Sequence, residues 1–254
     1  MITVSYNSEE TIEETIKSVV SQGYDNLEYI IIDGGSTDKT LDIIDKYKDK
    51  IAIVVSEHDN GISDAFNKGI KKASGDVIGI INSDDIMLEG SLQSVADNYS
   101  PEIDVYRGNV IFYNPKTDFK CREIPSMAFP KLPFFIHVAH QGTFVSAKAY
   151  QKYGGFDQNI KYSMDLDFLM RVYAKNGKFK RIDYDMAVFR QGSTTANPLS
   201  RKKKEFYYLL EKNGCNKIQS HLFYAYLYII DKIKKMLNLF GSDLKQKLRY
   251  GNRL

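Results

Sequence analysis

Short apolar runs alternate with amphipathic stretches over the first hundred residues. The β-rich runs of strand length lie at residues 2–6, 28–32, 51–56 and 77–81. Between the first two runs, Ile12, Ile16 and Val19 recur at helical spacing after polar residues 7–10, which is typical of a helix cap and an acidic first turn. This alternation predicts an α/β fold, with a mostly parallel, Rossmann-like sheet flanked by crossover helices.

The next hundred residues continue the pattern less regularly. Strands are predicted at residues 105–113, 142–146 and 181–188, and helices at residues 147–153 and 164–176. The stretch 114–139 contains four of the six prolines, and we predict a loop there.

The last part of the chain differs from the rest in both pattern and charge. Residues 199–254 contain 13 Lys and Arg against four Asp and Glu, whereas residues 1–198 contain 22 and 28. Apolar residues recur at intervals of three, four and seven from Phe206 to Leu210 and from Leu222 to Phe240, which predicts amphipathic helices. We therefore predict a body over residues 1–198 and a basic, helical C-terminal extension over residues 199–254.

Three uses of this extension stay open at the level of sequence. A basic helix with aromatic side chains suits an anionic membrane surface, so we expect peripheral membrane contact. Alternatively, the helices pack on the body as a hairpin, or pair with a second copy in a homodimer. Nucleic acid is not an expected partner, because the body is acidic and carries no recognised nucleic-acid-binding motif.

Composition and cysteine usage indicate the cellular compartment. The chain is 43% hydrophobic and 26% charged, which is close to average for a folded soluble protein. Cys121 and Cys215 lie far apart, so neither a disulfide framework nor a zinc site is indicated. No signal peptide pattern follows Met1, and the longest apolar run, residues 222–230, is shorter than the roughly 20 residues of a spanning helix. We expect a cytoplasmic protein, peripheral at the inner face of the cell membrane.

Acidic and small polar residues follow three of the predicted strands. They begin at Asp33, at Glu57 and at Asn82. Ligands of open parallel sheets bind beyond the carboxyl ends of the strands, so these clusters should converge in one crevice. Crowded carboxylates repel one another unless a divalent cation lies between them, and Mg2+ is commonly held by one or two carboxylates plus substrate phosphates. The expected ligands are therefore a nucleoside diphosphate and Mn2+ or Mg2+.

Five segments of the chain share a recognisable order and spacing. They are Thr3-Val-Ser-Tyr-Asn7, Asp33-Gly-Gly-Ser-Thr-Asp38, Asp59-Asn-Gly-Ile-Ser-Asp-Ala-Phe-Asn67, Asn82-Ser-Asp-Asp85, and Gly154-Gly-Phe-Asp157 with Asp165-Leu-Asp167. Taken together, they resemble the inverting family 2 glycosyltransferases of the GT-A fold, of the type that builds bacterial polysaccharides. The resemblance covers about residues 1–190.

The resemblance implies a role for each matching residue. Thr3, Tyr6, Asp59 and Asp84 would contact the nucleotide-sugar, and Asp33 would accept a hydrogen bond from the base. In the metal motif, the first acid of the usual Asp-any-Asp pattern is Ser83, so Asp85 becomes the expected metal ligand. His140 and Gln141 would contact the acceptor or the diphosphate.

Asp165 matches the family's general base, although the Glu that often precedes it is Met164 here. A carboxylate with an ordinary pKa of about 3.9 is ionised at neutral pH and can accept the proton of the attacking hydroxyl. The implied activity is metal-dependent transfer of a sugar from a nucleoside diphosphate, with UDP the expected nucleotide, to a glycan or lipid-linked acceptor in surface polysaccharide biosynthesis.

Two other functions remain open from the sequence. A sugar-nucleotide nucleotidyltransferase would use a related α/β scaffold, but the loop after the first strand, residues 6–10, is acidic rather than glycine-rich and basic. A non-catalytic GT-A binding protein is the other alternative, supported by Met164 and Ser83.

Overall fold

The computed structural model describes residues 1–127, 138–191 and 202–238. Within these ranges nine strands form one sheet. They are Ile2–Ser5 (β1), Ile30–Asp33 (β2), Ile53–Ser56 (β3), Val77–Asn82 (β4), Ile86–Met87 (β5), Val105–Asn114 (β6), Phe119–Glu123 (β7), Thr143–Ser146 (β8) and Phe179–Arg190 (β9).

The sheet has a parallel half and a mixed half. β3, β2, β1 and β4 lie side by side and parallel, in that order. β4 then pairs antiparallel with β8, which pairs with β6, and β6 runs parallel to β9. The short β5 closes the far edge on β9, and β7 pairs with the free end of β6. The carboxyl ends of the four parallel strands therefore meet at one edge, as the sequence pattern predicts.

Helices cover both faces of the sheet. They are Ile12–Val20 (α1), Thr40–Asp45 (α2), Ile62–Lys72 (α3), Ser91–Asp97 (α4), Ala147–Tyr153 (α5), Met164–Ala174 (α6), Lys203–Lys212 (α7) and Lys217–Asn238 (α8). Single turns of 3-10 helix lie at Lys48–Lys50 and His140–Gly142.

Successive residues of the central strands serve opposite faces. Ile30 and Ile32 of β2 belong to one core, which includes Phe66 of α3 and Phe168 of α6. Ile31 belongs to the other core, which includes Ile16 of α1. Because β1 and β2 are covered on both faces, all of their residues are buried, as expected for strands in the middle of a parallel sheet.

The predicted α/β architecture is confirmed, and one predicted loop is wrong in part. β7 lies inside the stretch 114–139, which we predicted to be a loop because of its prolines. Phe119 and Cys121 are buried while Lys120 and Arg122 point outward, an alternation too short to stand out beside that proline signal. Residues 128–137 of the same stretch lie outside the described residues.

The C-terminal extension forms two helices in the described part, and its first helix packs on the body. Leu209 of α7 is buried in the same core as Phe168 and Phe66. Leu210 joins Cys215 and Phe223 in a smaller core between α7 and α8. The proposed boundary at residue 198 lies in an undescribed stretch, just before a helix that contributes to the main core. The predicted helical pattern at Phe240 lies outside the described residues.

A search of the described helices for a segment able to cross a membrane finds none that is both long and apolar enough.

We predict that Leu209→Ala lowers the free energy of unfolding by about 2–5 kcal/mol, because truncating a fully buried leucine removes apolar burial and leaves a cavity. Leu222→Ala on α8 is the matched control. Leu222 is 68% exposed, so its truncation should change stability by no more than about 0.5 kcal/mol. Urea unfolding of both variants checks this, and equal effects would show that α7 does not stabilise the body.

Candidate functional site

Asp33 ends β2 at the carboxyl edge of the sheet and is fully buried. Its carboxylate accepts hydrogen bonds from the hydroxyls of Ser5, Ser36 and Ser56, and from the backbone N–H groups of Gly35 and Ser36. A carboxylate has room for about four such bonds in good geometry, so this one is saturated from within the protein. Asp33 thereby ties the ends of β1, β2 and β3 together and shapes the loop after β2.

Asp59 lies over the glycine that follows Asp33. A side chain on Gly34 would collide with the carboxylate of Asp59 and would contact the ring of Tyr6. One oxygen of Asp59 accepts the N–H of Gly61 at 2.8 Å, and the other, Oδ2, faces Gly34. The Tyr6 ring is 63% exposed. The bare glycine therefore leaves room for the Asp59 carboxylate, which lies beside the aromatic ring of Tyr6.

Thr3 is not brought to this crevice. It lies inside β1, is fully buried, and its hydroxyl pairs with that of Tyr29 at 2.9 Å. A residue in mid-strand, covered on both faces, has no path to a ligand at the strand end. The expected nucleotide contact at Thr3 is thus replaced in the structure by an internal hydrogen bond.

Asp84 and Asp85 lie in the turn between β4 and β5. Asp85 is fully buried, and its carboxylate accepts hydrogen bonds from Gln141 Nε2 at 2.6 Å, from the backbone N–H of Arg190 at 3.0 Å and from Asn82 Nδ2 at 3.3 Å. Asp84 is half-buried and stands beside it. The loop after β1 is joined to this turn by a hydrogen bond between the hydroxyls of Ser8 and Ser83.

Burial makes both neighbouring carboxylates harder to ionise. It raises the pKa of Asp85 well above its ordinary value, and the adjacent Asp84 raises it further. Burial also raises the pKa of Asp84, against its own backbone hydrogen bond and the nearby side chains of His140 and Arg190, which lower it. The turn therefore concentrates negative charge that a nearby cation would relieve.

His140 connects the metal motif with the predicted base. Its Nε2 lies 3.3 Å from Asn82 Oδ1, and its Nδ1 lies 3.9 Å from Asp165 Oδ2. The imidazole rests on the ring of Phe66, with 5.3 Å between the ring centroids. The next residue, Gln141, holds Asp85, so one short turn of chain touches both acidic groups.

Asp165 lies in the first turn of α6, where a carboxylate is favoured by the helix dipole. Its Oδ1 accepts the N–H of Leu166 at 2.7 Å, while Oδ2 faces His140. Arg107 lies behind the site, and burial lowers its pKa to about 10 although Glu123 and Asp165 favour its charge. The structure therefore brings Asp165, His140, Gln141, Asp84 and Asp85 together on one wall of the crevice. Asp33 lies at the end of β2, and Tyr6 and Asp59 lie on the loops beyond β1 and β3.

From the sequence, Asn82 and Gly34 have a place in the matching segments but no role, and Arg107 and Arg190 have neither. Arg190 ends β9 two residues beyond the predicted strand, and its side chain pairs with Glu14 of α1 at 2.5 Å. The signal for Asn82 was its place at the end of an apolar run, next to the two acids. Arg107 carries no sequence signal, because a strand arginine is ordinarily exposed.

The side chains of this turn suit a hard divalent cation whose remaining coordination positions are filled by oxygens of the bound substrate. In the parts of the chain that the structure describes, no three His, Cys, Asp or Glu side chains form a group able to hold a metal by themselves. Asp84 and Asp85 supply carboxylate oxygens at one place, and Mg2+ or Mn2+ is often bound by such a pair together with substrate phosphates. The residues present fit this mode of binding.

Comparison with known proteins gives a match to a family model and to curated relatives. The family model described as "Glycosyl transferase family 2" matches residues 1–162. The minor teichoic acid biosynthesis protein GgaB of Bacillus subtilis is 26% identical over 256 residues, which cover 91% of this chain and 28% of GgaB. The chain thus spans less than a third of the length of that curated relative.

Solved structures show the same fold. S. aureus TarS 1–349 in complex with UDP-GlcNAc superposes with a TM-score of 0.65 at 18% identity, covering 86% of this chain and 68% of that one. The mannosyltransferase PcManGT from Pyrobaculum calidifontis, in complex with GDP-Man and Mn2+, superposes with a TM-score of 0.57 at 17% identity, covering 82% and 60%. At these identities the likeness shows the fold, and the predicted GT-A class with a helical extension is confirmed.

Proposed function

The chain belongs to glycosyl transferase family 2, and we propose that it transfers a sugar from a nucleoside diphosphate-sugar to a glycan or lipid-linked acceptor in bacterial surface polysaccharide biosynthesis. The observation that carries the proposal is the convergence of Asp84, Asp85 and Asp165 in one crevice, bridged by His140 and Gln141. UDP is the proposed nucleotide. The teichoic acid role of GgaB and the UDP-GlcNAc complex of TarS support this direction.

We assign the general base to Asp165. Its Oδ2 faces the crevice, while its other oxygen is held by the helix N-terminus, so the carboxylate has a fixed direction. An acceptor hydroxyl placed against Oδ2 would give up its proton as its oxygen attacks the anomeric carbon. Attack from this side, with the diphosphate leaving on the other, inverts the anomeric configuration in a single displacement.

The Asp84–Asp85 turn is the proposed holder of Mn2+ or Mg2+. A cation bound there supplies charge neutralisation for the departing diphosphate. Gln141 and the N–H of Arg190 keep Asp85 in place, and the partly exposed Asp84 faces the crevice. The role of Asp85 as the direct ligand stays a prediction.

We propose Asp59, rather than Asp33, as the acceptor that recognises the base. Asp33 is saturated by five donors of the protein, whereas Asp59 Oδ2 accepts no hydrogen bond from Gly61 and lies against Gly34, near the exposed Tyr6 ring. A carboxylate only accepts hydrogen bonds at neutral pH, so it selects bases with a ring N–H, such as uracil, over cytosine, whose ring N3 is an acceptor. Tyr6 would provide the surface on which the base stacks.

The outer face of α8 is the proposed membrane contact. It carries an exposed apolar stripe at spacings of three and four, formed by Ile218, Leu222, Tyr226, Ile229 and Ile233. The opposite face packs on α7 through Phe223, which stacks on Phe206. Lys217 and Lys232 are exposed on the same helix, and the extension has a large excess of positive charge. Apolar side chains flanked by lysines fit an anionic bilayer.

Asp165→Asn should lower turnover of a donor sugar by about 10²- to 10⁴-fold and leave UDP affinity within about twofold, because a proton acceptor acts in the transition state. Steady-state hydrolysis of UDP-sugars and calorimetric UDP binding check both values. Asp183→Asn, at an exposed carboxylate on β9, is the control and should change neither. Full turnover in Asp165→Asn would show that Asp165 is not the base, whereas a wild-type protein that binds UDP without turnover would favour a binding protein.

UDP should bind more tightly with Mn2+ or Mg2+ than with excess chelator, and Asp85→Asn should remove most of that gain. Asp84→Asn should reduce the gain as well, because it removes the partly exposed carboxylate. Calorimetry with each metal measures the affinities, and thermal unfolding confirms that the variants remain folded. Equal UDP affinity with chelator and with metal would contradict a cation that bridges the turn and the diphosphate.

UDP should bind at least about tenfold more tightly than CDP, since one correct hydrogen bond in place of a repulsive one is worth about 1.4 kcal/mol or more. Asp59→Asn should weaken UDP binding and reduce the ratio of UDP affinity to CDP affinity, because an amide can donate a hydrogen bond to cytosine N3. Glu57→Gln in the same loop is the control. Unchanged selectivity in Asp59→Asn would show that another residue reads the base.

The intact protein should bind anionic vesicles more tightly than neutral ones, and the binding should weaken as salt rises. Leu222→Glu combined with Ile229→Glu should lower vesicle affinity at least tenfold, while Gln219→Glu, which adds charge beside the stripe, should have a smaller effect. Flotation of phosphatidylglycerol and phosphatidylcholine vesicles gives the affinities. If the double variant instead converts a dimer into a monomer, the stripe contacts a second copy.

A further inference from the structure

Helix α7 contacts the segment that carries Asp165 at three places. This segment runs from Asp157 to Asp167 and links α5 to the first turn of α6. Such a linker has few backbone hydrogen bonds of its own, so its geometry depends on what lies against it.

Glu205 of α7 holds the middle of the segment. Its carboxylate accepts the N–H of Lys161 at 2.9 Å and the N–H of Tyr162 at 3.0 Å. These two amides lie three and four residues before Asp165 and have no place in a helix or strand. A carboxylate that accepts two adjacent N–H groups fixes the local backbone, and charged acceptors make the stronger hydrogen bonds.

Lys212, at the other end of α7, holds both ends of the segment. Its ammonium lies 2.7 Å from Asp157 Oδ2 and 2.9 Å from Asp167 Oδ1. Asp157 also accepts the hydroxyl of Tyr208, and Asp167 is fully buried and paired with Arg171. One lysine therefore bridges two carboxylates that lie on either side of Asp165.

The electrostatics of these contacts are consistent with a strong local interaction. Partial burial alone would raise the pKa of Asp157, but hydrogen bonds from Lys212, from the N–H of Asn159 and from Tyr208 outweigh it and lower the pKa below its ordinary range. Burial opposes the charge of Lys212, yet its bonds to Asp157 and Asp167 raise its pKa. Asp157 and Lys212 are therefore both charged at neutral pH.

We propose that Glu205 and Lys212 are positioning residues that set the direction of the Asp165 carboxylate, so that α7 is a working part of the transferase rather than the start of a detachable tail. The inference rests on the proposed function, because it takes Asp165 to be the base. The position of a base matters steeply: a displacement of about 1 Å can cost about 100-fold in rate. Neither residue touches the crevice, so both act through the segment.

The inference is tested with Glu205→Ala and Lys212→Met, with Glu205→Gln as the conservative variant and Glu211→Ala, at an exposed position on the same helix, as the control. The alanine and methionine variants should lower kcat for UDP-sugar hydrolysis at least tenfold while UDP affinity stays within twofold. Glu205→Gln, which keeps one acceptor oxygen, should recover part of the loss. Amide exchange, measured by mass spectrometry, should rise in peptides that span residues 157–165.

The measurements distinguish a failure of the positioning role from a failure of the proposed function. A fall in kcat that merely follows a lower melting temperature, or faster exchange at residues 157–165 with unchanged kcat, would overturn the positioning role. If the wild-type protein neither binds UDP nor hydrolyses any UDP-sugar, the proposed function has failed instead. Exchange that stays at the wild-type rate in Glu205→Ala would show that α7 does not hold the segment, whatever the activity.

Discussion

A fully buried carboxylate has to be satisfied from several parts of the chain at once, and Asp85 is that group here. Its partners come from β4, from the turn before β8 and from the end of β9. Each of these elements is thereby brought to one point at the edge of the sheet. An unpaired buried charge would be strongly destabilising, so the arrangement that satisfies Asp85 also assembles the crevice.

Further hydrogen bonds link Asp85 to the rest of the crevice. Gln141 reaches Asp85, and its neighbour His140 reaches both Asn82 and Asp165, so the position of the predicted base is linked to the acidic turn through one short stretch of chain. On the far side of Asp165, Glu205 and Lys212 fix the segment from which it projects. Hydrogen-bonded carboxylates therefore define both walls of the crevice. The apolar cores on the two faces of the sheet hold the strands that present them.

Regular alternation of apolar runs made the α/β fold predictable from sequence, and short polar clusters at the strand ends located the crevice. Side-chain direction was harder to predict. Thr3 belongs to a matching segment but is buried in mid-strand. The carboxylate of Asp33 already accepts hydrogen bonds from donors within the protein. Because Gly34 has no side chain, the carboxylate of Asp59 occupies the space beside it. The sequence left the packing of α7 on the body as one of three alternatives, because Leu209 and Glu205 are part of an ordinary amphipathic pattern. The partners of Glu205, Lys161 and Tyr162, lie more than 40 residues away and are known only from the fold.

In the proposed reaction, Asp165 accepts the proton of an acceptor hydroxyl whose oxygen attacks the anomeric carbon from the face opposite the leaving diphosphate. Proton NMR of an early time course can identify the first-formed anomer of the sugar released from an α-linked UDP-sugar that the protein turns over. A single displacement predicts that the β-anomer forms first and only later equilibrates. First formation of the α-anomer would contradict the assignment of Asp165 and the geometry on which it rests.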